Sequence, residues 1–329
     1  MGKLKEDDKI FIKDFIPERV VCKNSPEKSF NLNLNDEDTH LNLSYTTKLY
    51  NLYGLVGKKS YKLSMPRFIK RNKDTFEVLG LLQAEMGKKH DGKICFSNHE
   101  YQLINKVVKW FEDEFKFKKE IWKWYIKINI NEPVDKSYKE EVENKVINYW
   151  LKKSSLSISR AYPKRVSYIK NTKNKILRDR DYGNLIIEKG SNLFSQIIKS
   201  LVKKITESII DYENKEIRAF MRGIIAGEST VEVNLYSGHY RVFITAVQKS
   251  ERDIYEKCLK KLGIPSKNCE SIKDLIISRK ENNLKLLKQD LMTLSSEKYN
   301  KFEYMIKSYQ DYRDSEDFRK KVDEIFKKG

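Results

Sequence analysis

The chain has 329 residues, of which 39% are hydrophobic and 34% charged, and its 66 Lys and Arg against 47 Asp and Glu give a formal net charge of +19. Recurring Ile, Leu, Val and Phe exclude a disordered chain, and the excess of base over acid predicts a polyanionic partner, most simply nucleic acid. The four cysteines lack CxxC spacing and clustered histidines, and no apolar run approaches about 18 residues, so we expect no zinc site, disulfide framework or membrane span, and an intracellular protein (cytoplasm or nucleoid, or a eukaryotic organelle).

Residues 1–73 are predicted to form an amino-terminal extension. Within it, Ser44–Val56 shows apolar residues at helical spacing, which predicts a helix and a small helical accessory unit of helix-turn-helix-like type. The side chains that would share one side of this helix are Tyr45, Leu49, Leu52 and Tyr53. The alternative is an arm that packs against the main body, and the sequence leaves both open.

Two α+β domains are predicted to follow, over residues 74–212 and 213–329. The first reads as a helix to Met86, a short strand pair within 88–97, a helix over 100–115, a strand over 121–130, a helix ending near Leu151, a strand over 184–188 and a helix from Leu193. The second reads as a helix to Glu228, strands over 230–236 and 239–247, a helix over 249–262, a strand over 272–278 and helices from Asn282 and Glu297. Short turns such as Ser237-Gly238 predict antiparallel pairing.

Two short segments match each other at a spacing of 143 positions. LGLLQAEM at 79–86 and MRGIIAGES at 221–229 place small residues and a glutamate at the same offsets, namely Gly80, Ala84 and Glu85 in the first and Gly223, Gly227 and Glu228 in the second. Glycine inside a helix costs about 1 kcal/mol relative to alanine, so a pair of such helices is expected where two backbones approach closely. Close packing of the two helices would bring the two glutamates together.

Two carboxylates side by side repel each other unless a cation lies between them. Glu85 and Glu228 therefore predict a divalent metal site, with Mg²⁺ or another divalent cation such as Mn²⁺ as cofactor. Divalent ions in such sites activate water and stabilise the leaving oxygen of a phosphodiester, which predicts a nuclease. The alternative is an ordinary helix contact with a solvent-exposed glutamate at each end.

LGLLQAEM and MRGIIAGES resemble the motif of the LAGLIDADG homing endonucleases, in the single-chain form with two copies. The resemblance runs from about Asp74 to Tyr309 and includes strand-then-helix segments such as ICFSNHEYQLINKVVKWF and VFITAVQKSERDIYEKCLKKLGI. It implies an α+β fold of two pseudo-symmetric αββαββα domains with saddle-shaped antiparallel sheets in the DNA major groove. It also implies that Glu85 and Glu228 are the metal ligands and that the protein is a monomer with internal pseudo-twofold symmetry.

The chain departs from the family pattern at four positions. Met86 and Ser229 follow the acids where the family usually has glycine, and Gln83 and Ala226 stand where Asp is frequent. A repurposed member of the family would show such changes.

The resemblance further implies basic residues near the scissile phosphates. Lys298 resembles the family's active-site lysine, and Lys203 or Lys204 would be its counterpart from the first half, the alternative being solvated helix surface. Alternation along the strands predicts a nucleic-acid-binding face, with Lys93, Lys123, Lys127, Asn234, Tyr236 and Tyr240. The basic run Pro163–Tyr182 is predicted to contact phosphates, through residues such as Lys164 and Arg165.

The leading hypothesis is thus a monomeric, metal-dependent, site-specific endonuclease that cuts double-stranded DNA. The chain starts MGKL and ends FKKG, without the residues of intein junctions, which favours a freestanding or intron-encoded enzyme. The second hypothesis is a cleavage-deficient nucleic-acid-binding protein on the same scaffold, either a transcription regulator or an RNA-splicing maturase. A third is an enzyme of structured RNA, since charge does not distinguish RNA from DNA. Retention of both acids favours the first hypothesis, whereas Met86, Ser229 and the long extension favour the second.

Overall fold

The computed structural model describes residues 8–22, 25–51, 54–87, 92–130, 136–156, 161–170 and 182–328. The chain divides into two compact units, one made of residues 1–71 and 86–204 and the other of 72–85 and 205–329. Helix α1 (Lys73–Glu85), which carries the first motif, therefore belongs to the same unit as the second motif, although the sequence assigned the two copies to different domains. In the described part of the chain, no helix has the length and apolar character needed to cross a membrane.

The amino-terminal region of the first unit is built from strands. Their bounds are β1 Lys9–Phe11, β2 Arg19–Cys22, β3 Ser25–Asn31, β4 Asn33–Asp36, β5 His40–Asn51, β6 Gly54–Pro66 and β7 Phe68–Lys70, with a 3-10 helix at Ile12–Phe15. The strands pair antiparallel as β1-β7, β2-β3 and β4-β5-β6.

The helix predicted over Ser44–Val56 is wrong, and with it the helix-turn-helix-like unit. Residues 44–51 lie in β5 and residues 54–56 in β6, where Tyr45 pairs with Tyr61 and Leu49 with Gly57, and residues 52–53 lie outside the described part of the chain. The segment is rich in Leu, Tyr and Thr, which suit a pleated surface, and cross-strand pairing along the whole hairpin outweighed an apolar spacing that also fits a helix.

The rest of the first unit is a four-stranded sheet with helices. Its elements are β8 Lys93–Asn98, α2 Tyr101–Phe115, β9 Lys123–Ile130, α3 Lys136–Lys153, β10 Ala161–Lys170, β11 Asn184–Gly190 and α4 Asn192–Ser208, and the strand order is β10-β9-β11-β8. β11 is antiparallel to both β8 and β9, whereas β10 runs parallel to β9. The expected antiparallel pairing fails there because α3 connects the two strands, and a helical crossover returns the chain in the same direction.

The second unit contains a second four-stranded sheet. Its elements after α1 are α5 Asn214–Glu228, β12 Ser229–Asn234, β13 His239–Thr245, α6 Lys249–Lys261, β14 Lys267–Cys269, β15 Asp274–Ile277, α7 Lys280–Lys288, α8 Ser296–Lys307, α9 Gln310–Asp314 and α10 Glu316–Lys328. The strands are ordered β12-β13-β15-β14, and each described pair is antiparallel. From α5 to α7 the order of elements is αββαββα, so the predicted α+β class is confirmed.

The described part of the first half follows a related order, with one strand, β8, between α1 and α2 where the second half has β12 and β13, and with an insertion further on. α3 and β10 lie between β9 and β11, whereas the equivalent strands β14 and β15 are joined by a short turn. Part of the strand pair predicted within 88–97 lies outside the described residues. Each sheet buries one face, with Ile94, Phe96, Trp124 and Ile126 inside the first and Val231, Val242, Ile244 and Leu275 inside the second.

Candidate functional site

Helices α1 and α5 touch along their backbones. A Cβ atom added to Gly80 would lie 2.2 Å from the carbonyl oxygen of Phe220, and one added to Gly223 would lie 2.2 Å from that of Glu77. The added Cβ of Gly223 would also lie 2.8 Å from the Cα of Gly80. Since even a methyl group has no room, glycine at both positions is what allows the two helices to approach this closely.

The same approach brings the two acids to one place. A Cβ on Gly227 would lie 2.5 Å from the Cβ of Ala84 and 3.2 Å from the Cγ of Glu85, so the Glu85 side chain lies against the residue that precedes Glu228. Both glutamates are partly exposed and end their helices. A helix carries partial negative charge at its carboxyl end, so two carboxylates at two such ends create a site that attracts a cation.

Ser229 follows the second acid without strain in the backbone. It has φ −92° and ψ 156°, an extended conformation open to any residue, and it starts β12 directly. The change from glycine to serine therefore leaves the exit from α5 unstrained.

Lys298 lies at the carboxyl end of α5, where its ammonium group donates to three successive carbonyls. Its Nζ is 3.2 Å from the oxygen of Ile225, 2.6 Å from that of Ala226 and 2.9 Å from that of Gly227. These contacts place the charge of the lysine against the negative end of the helix. The residue predicted to be catalytic thus supports the end of the motif helix.

Replacing Lys298 with methionine is expected to lower the free energy of unfolding by about 1 to 2 kcal/mol, because three carbonyls lose a charged donor. Lys301→Met, on the exposed side of the same helix, is the matched control and should be near neutral. Urea denaturation of both variants measures the difference. Equal stabilities would show that the three contacts contribute nothing.

Gln83 connects the end of α1 to α4 and α6. Its Nε2 donates to Oε1 of Glu251 at 3.0 Å, and its Oε1 accepts from Oγ1 of Thr206 at 3.2 Å. An aspartate here, as is frequent in the family, would face Glu251 with a like charge, whereas an amide can donate and accept at once. A glutamine at this position thus fits the hydrogen-bonding groups of both Glu251 and Thr206.

Tyr255 completes this cluster beside the second acid. Burial raises the pKa of its hydroxyl far above its usual value, as do the carboxylates of Glu251 and Glu228, while a hydrogen bond with Gln83 opposes the shift. Tyr255 therefore remains protonated near Glu228. Sequence reasoning missed Thr206, Glu251 and Tyr255, because they come from helices far along the chain and carry no spacing signal.

A buried ion pair ties α1 to α5 on another side. Nη1 of Arg222 lies 3.0 Å from Oε1 of Glu77, with the side chains 7% and 4% exposed. Arg222 also donates through Nε to the carbonyl of Asp290 at 2.6 Å and pairs with the Asp290 carboxylate. This cross-helix pair has no counterpart in the repeat, since the residues at the equivalent offsets are Leu79 and Phe220.

Arg222→Met is expected to destabilise the protein by about 2 to 3 kcal/mol, because the buried Glu77 carboxylate loses its buried cation and the exposed Lys73 at 3.7 Å is a weaker partner. The double variant Arg222→Met with Glu77→Met removes both charges and should be more stable than Arg222→Met alone. Chemical denaturation of the two proteins provides the comparison. A double variant less stable than the single one would contradict this account.

Three of the predicted nucleic-acid-binding lysines lie on the open face of the first sheet. Lys123 and Lys127 are exposed on β9, while Lys93 is partly exposed on β8 and forms an ion pair with Glu188 of β11. Glu188 is only 3% exposed although it shares this face, so the carboxylate already engages one of the three cations. Lys164 and Arg165 lie in β10, but their side chains are outside those that the structure describes.

The three residues predicted on the second sheet take different places. Asn234 ends β12 and accepts from the backbone N–H of Ser237 at 3.0 Å, which shapes the turn, and Tyr236 is fully exposed within that turn. Tyr240 instead lies on the buried side, where its ring is 4.9 Å from that of Tyr309. Its assignment to the open face is wrong, because side chains alternate along β13 and Tyr240 shares the parity of buried Val242.

The lysines proposed as first-half counterparts of Lys298 lie on α4. Both are exposed, and Nζ of Lys204 donates to the carbonyl of Asp14 at 2.7 Å and sits 5.9 Å from the ring centre of Phe15. Lys204 thus contacts the amino-terminal region of the first unit. A catalytic role for Lys203 or Lys204 stays a prediction.

No family model and no curated protein matches the chain, but solved structures of LAGLIDADG proteins do. The N-terminal LAGLIDADG domain of DUF199/WhiA is 11% identical over 68% of this chain and 84% of its own, with a TM-score of 0.35. Mesophilic variants of the homing endonuclease I-DmoI are 13% identical over 68% and 98%, with a TM-score of 0.37. Full-length DUF199/WhiA from Thermatoga maritima is 12% identical over 76% and 66%, also at 0.37.

Proposed function

We propose that the protein is a metal-dependent, site-specific endonuclease of double-stranded DNA, of the homing type. The observation that carries this proposal is the contact between α1 and α5, which sets the Glu85 side chain against Gly227, next to Glu228. A protein that only binds nucleic acid gains nothing from two carboxylates gathered at two helix carboxyl ends, since they repel each other and the phosphates.

The donor set fits a hard divalent cation. Glu85 and Glu228 supply carboxylate oxygens, the ligands that Mg²⁺ and Mn²⁺ prefer, and both are accessible enough to leave room for water and substrate oxygens. When a divalent cation is bound at such carboxylates, it supplies activation of water and stabilisation of the leaving oxygen. The two glutamates would hold it.

The neighbouring side chains would orient the acids. Lys298 would fix the last carbonyls of α5 and thereby the position of Glu228, and Gln83 and protonated Tyr255 lie close to the acids. The exposed lysines of β9 would hold phosphates of the DNA, which gives affinity without sequence preference.

The test is a selection of bound fragments from the host's own DNA in Ca²⁺, followed by exchange into Mg²⁺ and sequencing of the ends produced. Defined cuts on both strands at one sequence are expected. If fragments are retained but never cut, the protein is a binding protein and not an endonuclease. If RNA alone is retained, the substrate is RNA and not DNA.

A second candidate is a cleavage-deficient DNA-binding protein on the same scaffold, a transcription regulator or a splicing maturase. The contacts of Lys298 favour it, because an ammonium group held by three carbonyls is not free to offset charge that develops on a phosphate. The same selection separates the two, since such a protein would retain specific fragments and leave them intact in Mg²⁺.

A further inference from the structure

β5 and β6 form a long two-stranded ribbon in the amino-terminal region, extended on one edge by β4. One face of this ribbon is anchored in the first unit: Leu41, Leu43, Tyr45 and Met65 are all buried. The rings of Tyr45 and Tyr61 stack across the strands with centres 4.8 Å apart. The other face of the ribbon is therefore the one presented to solvent.

The other face of the ribbon, called here the polar face, carries amides, hydroxyls and ammonium groups. Strand alternation and the pairing of Ser44 with Lys62 and of Thr46 with Ser60 put the following residues on it: Asn33, Asn35, Asn42, Ser44, Thr46, Lys58, Ser60, Lys62 and Ser64. Each is at least partly exposed. Such groups hydrogen-bond phosphates, sugars and base edges.

Charge on the ribbon has one sign. The segment His40–Pro66 contains four lysines and no Asp or Glu. The nearest acid on the polar face is Glu37 in the β4–β5 turn, which accepts from Nδ2 of Asn35 and of Asn42 at 3.1 and 2.7 Å. Glu37 therefore neutralises only the end of the ribbon nearest that turn, and the described side chains of the polar face beyond it, Ser44, Thr46, Lys58, Ser60 and Lys62, are all basic or polar.

The dimensions of the ribbon suit a duplex groove. β5 has 12 residues and β6 has 13, which at about 3.4 Å per residue extends for roughly 40 Å. The major groove of B-DNA is about 12 Å wide and admits a two-stranded ribbon. A protein partner would call for apolar anchors, and the polar face has none among its described residues.

We propose that the polar face of the β5–β6 ribbon binds double-stranded DNA, as a contact surface additional to the two four-stranded sheets. The choice of DNA rests on the proposed function; the existence of the surface rests on its composition, exposure and length. Lys58 and Lys62 contact phosphates, and the hydroxyls between them face the groove.

The test measures binding of the full-length protein to a 60-base-pair DNA of mixed sequence over a range of salt concentrations. In the double variant Lys58→Gln with Lys62→Gln, the slope of log K against log salt should become less steep by about 2, since each phosphate contact contributes about 0.9. Binding at moderate salt should weaken at least about tenfold. Arg at both positions should restore the slope.

Two controls locate the effect. Lys320→Gln with Lys321→Gln removes the same charge from exposed lysines of α10, and Lys59→Gln removes a lysine from the opposite side of the ribbon, where its Nζ lies 5.1 Å from the ring of Tyr61. Both should leave the slope close to that of the wild type. Hydroxyl-radical footprints should lose one protected segment in the Lys58/Lys62 variant and none in the controls.

The outcomes separate this proposal from the proposed function. A wild type that binds and cuts DNA, with a slope unchanged by the Lys58/Lys62 variant, would overturn the ribbon proposal alone. If the Lys58/Lys62 variant loses binding only to an RNA duplex of the same sequence, and not to the DNA, the ribbon proposal would also be overturned. A wild type with no affinity for DNA would overturn both.

Discussion

Glutamine in place of Glu85 or Glu228 is expected to reduce the rate of DNA cleavage at least about 1000-fold while DNA binding stays intact or tightens. The amide keeps the size of the side chain but removes the negative charge that would hold the divalent cation of the proposed site, and with it the electrostatic stabilisation of the proposed reaction. Binding gains slightly, because one of two carboxylates that repel each other and the phosphates has gone. Single-turnover cleavage in Mg²⁺ and equilibrium binding in Ca²⁺ measure the two effects.

Glu256→Gln is the matched control, since it removes a carboxylate from α6 in the same unit and should change neither rate nor affinity. A readout independent of activity comes from thermal unfolding. Mn²⁺ should raise the melting temperature of the wild type and of Glu256→Gln, and raise that of either acid variant less. Cleavage at the wild-type rate by Glu85→Gln and by Glu228→Gln would show that neither glutamate belongs to the active site.

Alanine in place of Gly223 is expected to destabilise the protein by at least about 3 kcal/mol. The intrinsic preference points the other way, because alanine in a helix interior is favoured over glycine by about 1 kcal/mol. The sign reverses here since the new methyl group would lie 2.2 Å from a backbone carbonyl of α1, and a backbone cannot rotate aside as a side chain can. Gly80→Ala should behave alike, for the same reason at Phe220.

Gly190→Ala is the control for that experiment, because nothing lies within 4 Å of an added Cβ there. It should be near neutral in urea denaturation. Gly227→Ala should also destabilise the protein, because the Cβ of Ala84, 2.5 Å from the added methyl group, is fixed to the backbone of α1, whereas the Cγ of Glu85 at 3.2 Å can rotate away. A Gly223→Ala protein as stable as the wild type would show that α1 and α5 are not packed as described.

The sequence was most informative where a pattern repeats. The offsets shared by Gly80 and Gly223, and by Glu85 and Glu228, predicted the pairing of two helices 143 positions apart, and only glycine permits that approach. The order of elements after Asn214 was also readable, because each strand and helix has a clear period and a short turn on either side.

Other features depended on interactions that have no local signal. Apolar spacing in Ser44–Val56 fits a helix and a strand alike, and only pairing with β6 decides between them. The sequence alone would place Arg222 on the exposed surface of α5, whereas the structure places it against Glu77 and Asp290. The role of Gln83 is likewise not visible in the motif, because it depends on the hydrogen bond that the amide donates to Glu251.

The membership of α1 in the second unit sets an order of events during synthesis. α1 leaves the ribosome before the whole of residues 86–204, yet the helix that covers its glycines, α5, begins only at Asn214. Until then the apolar residues Val78, Leu79 and Leu82, fully buried in the finished protein, lack the rest of their own unit, residues 205–329. A chain that stops near residue 204 would thus expose the apolar side chains of α1. Premature termination should therefore yield a fragment that aggregates, and not a smaller functional protein.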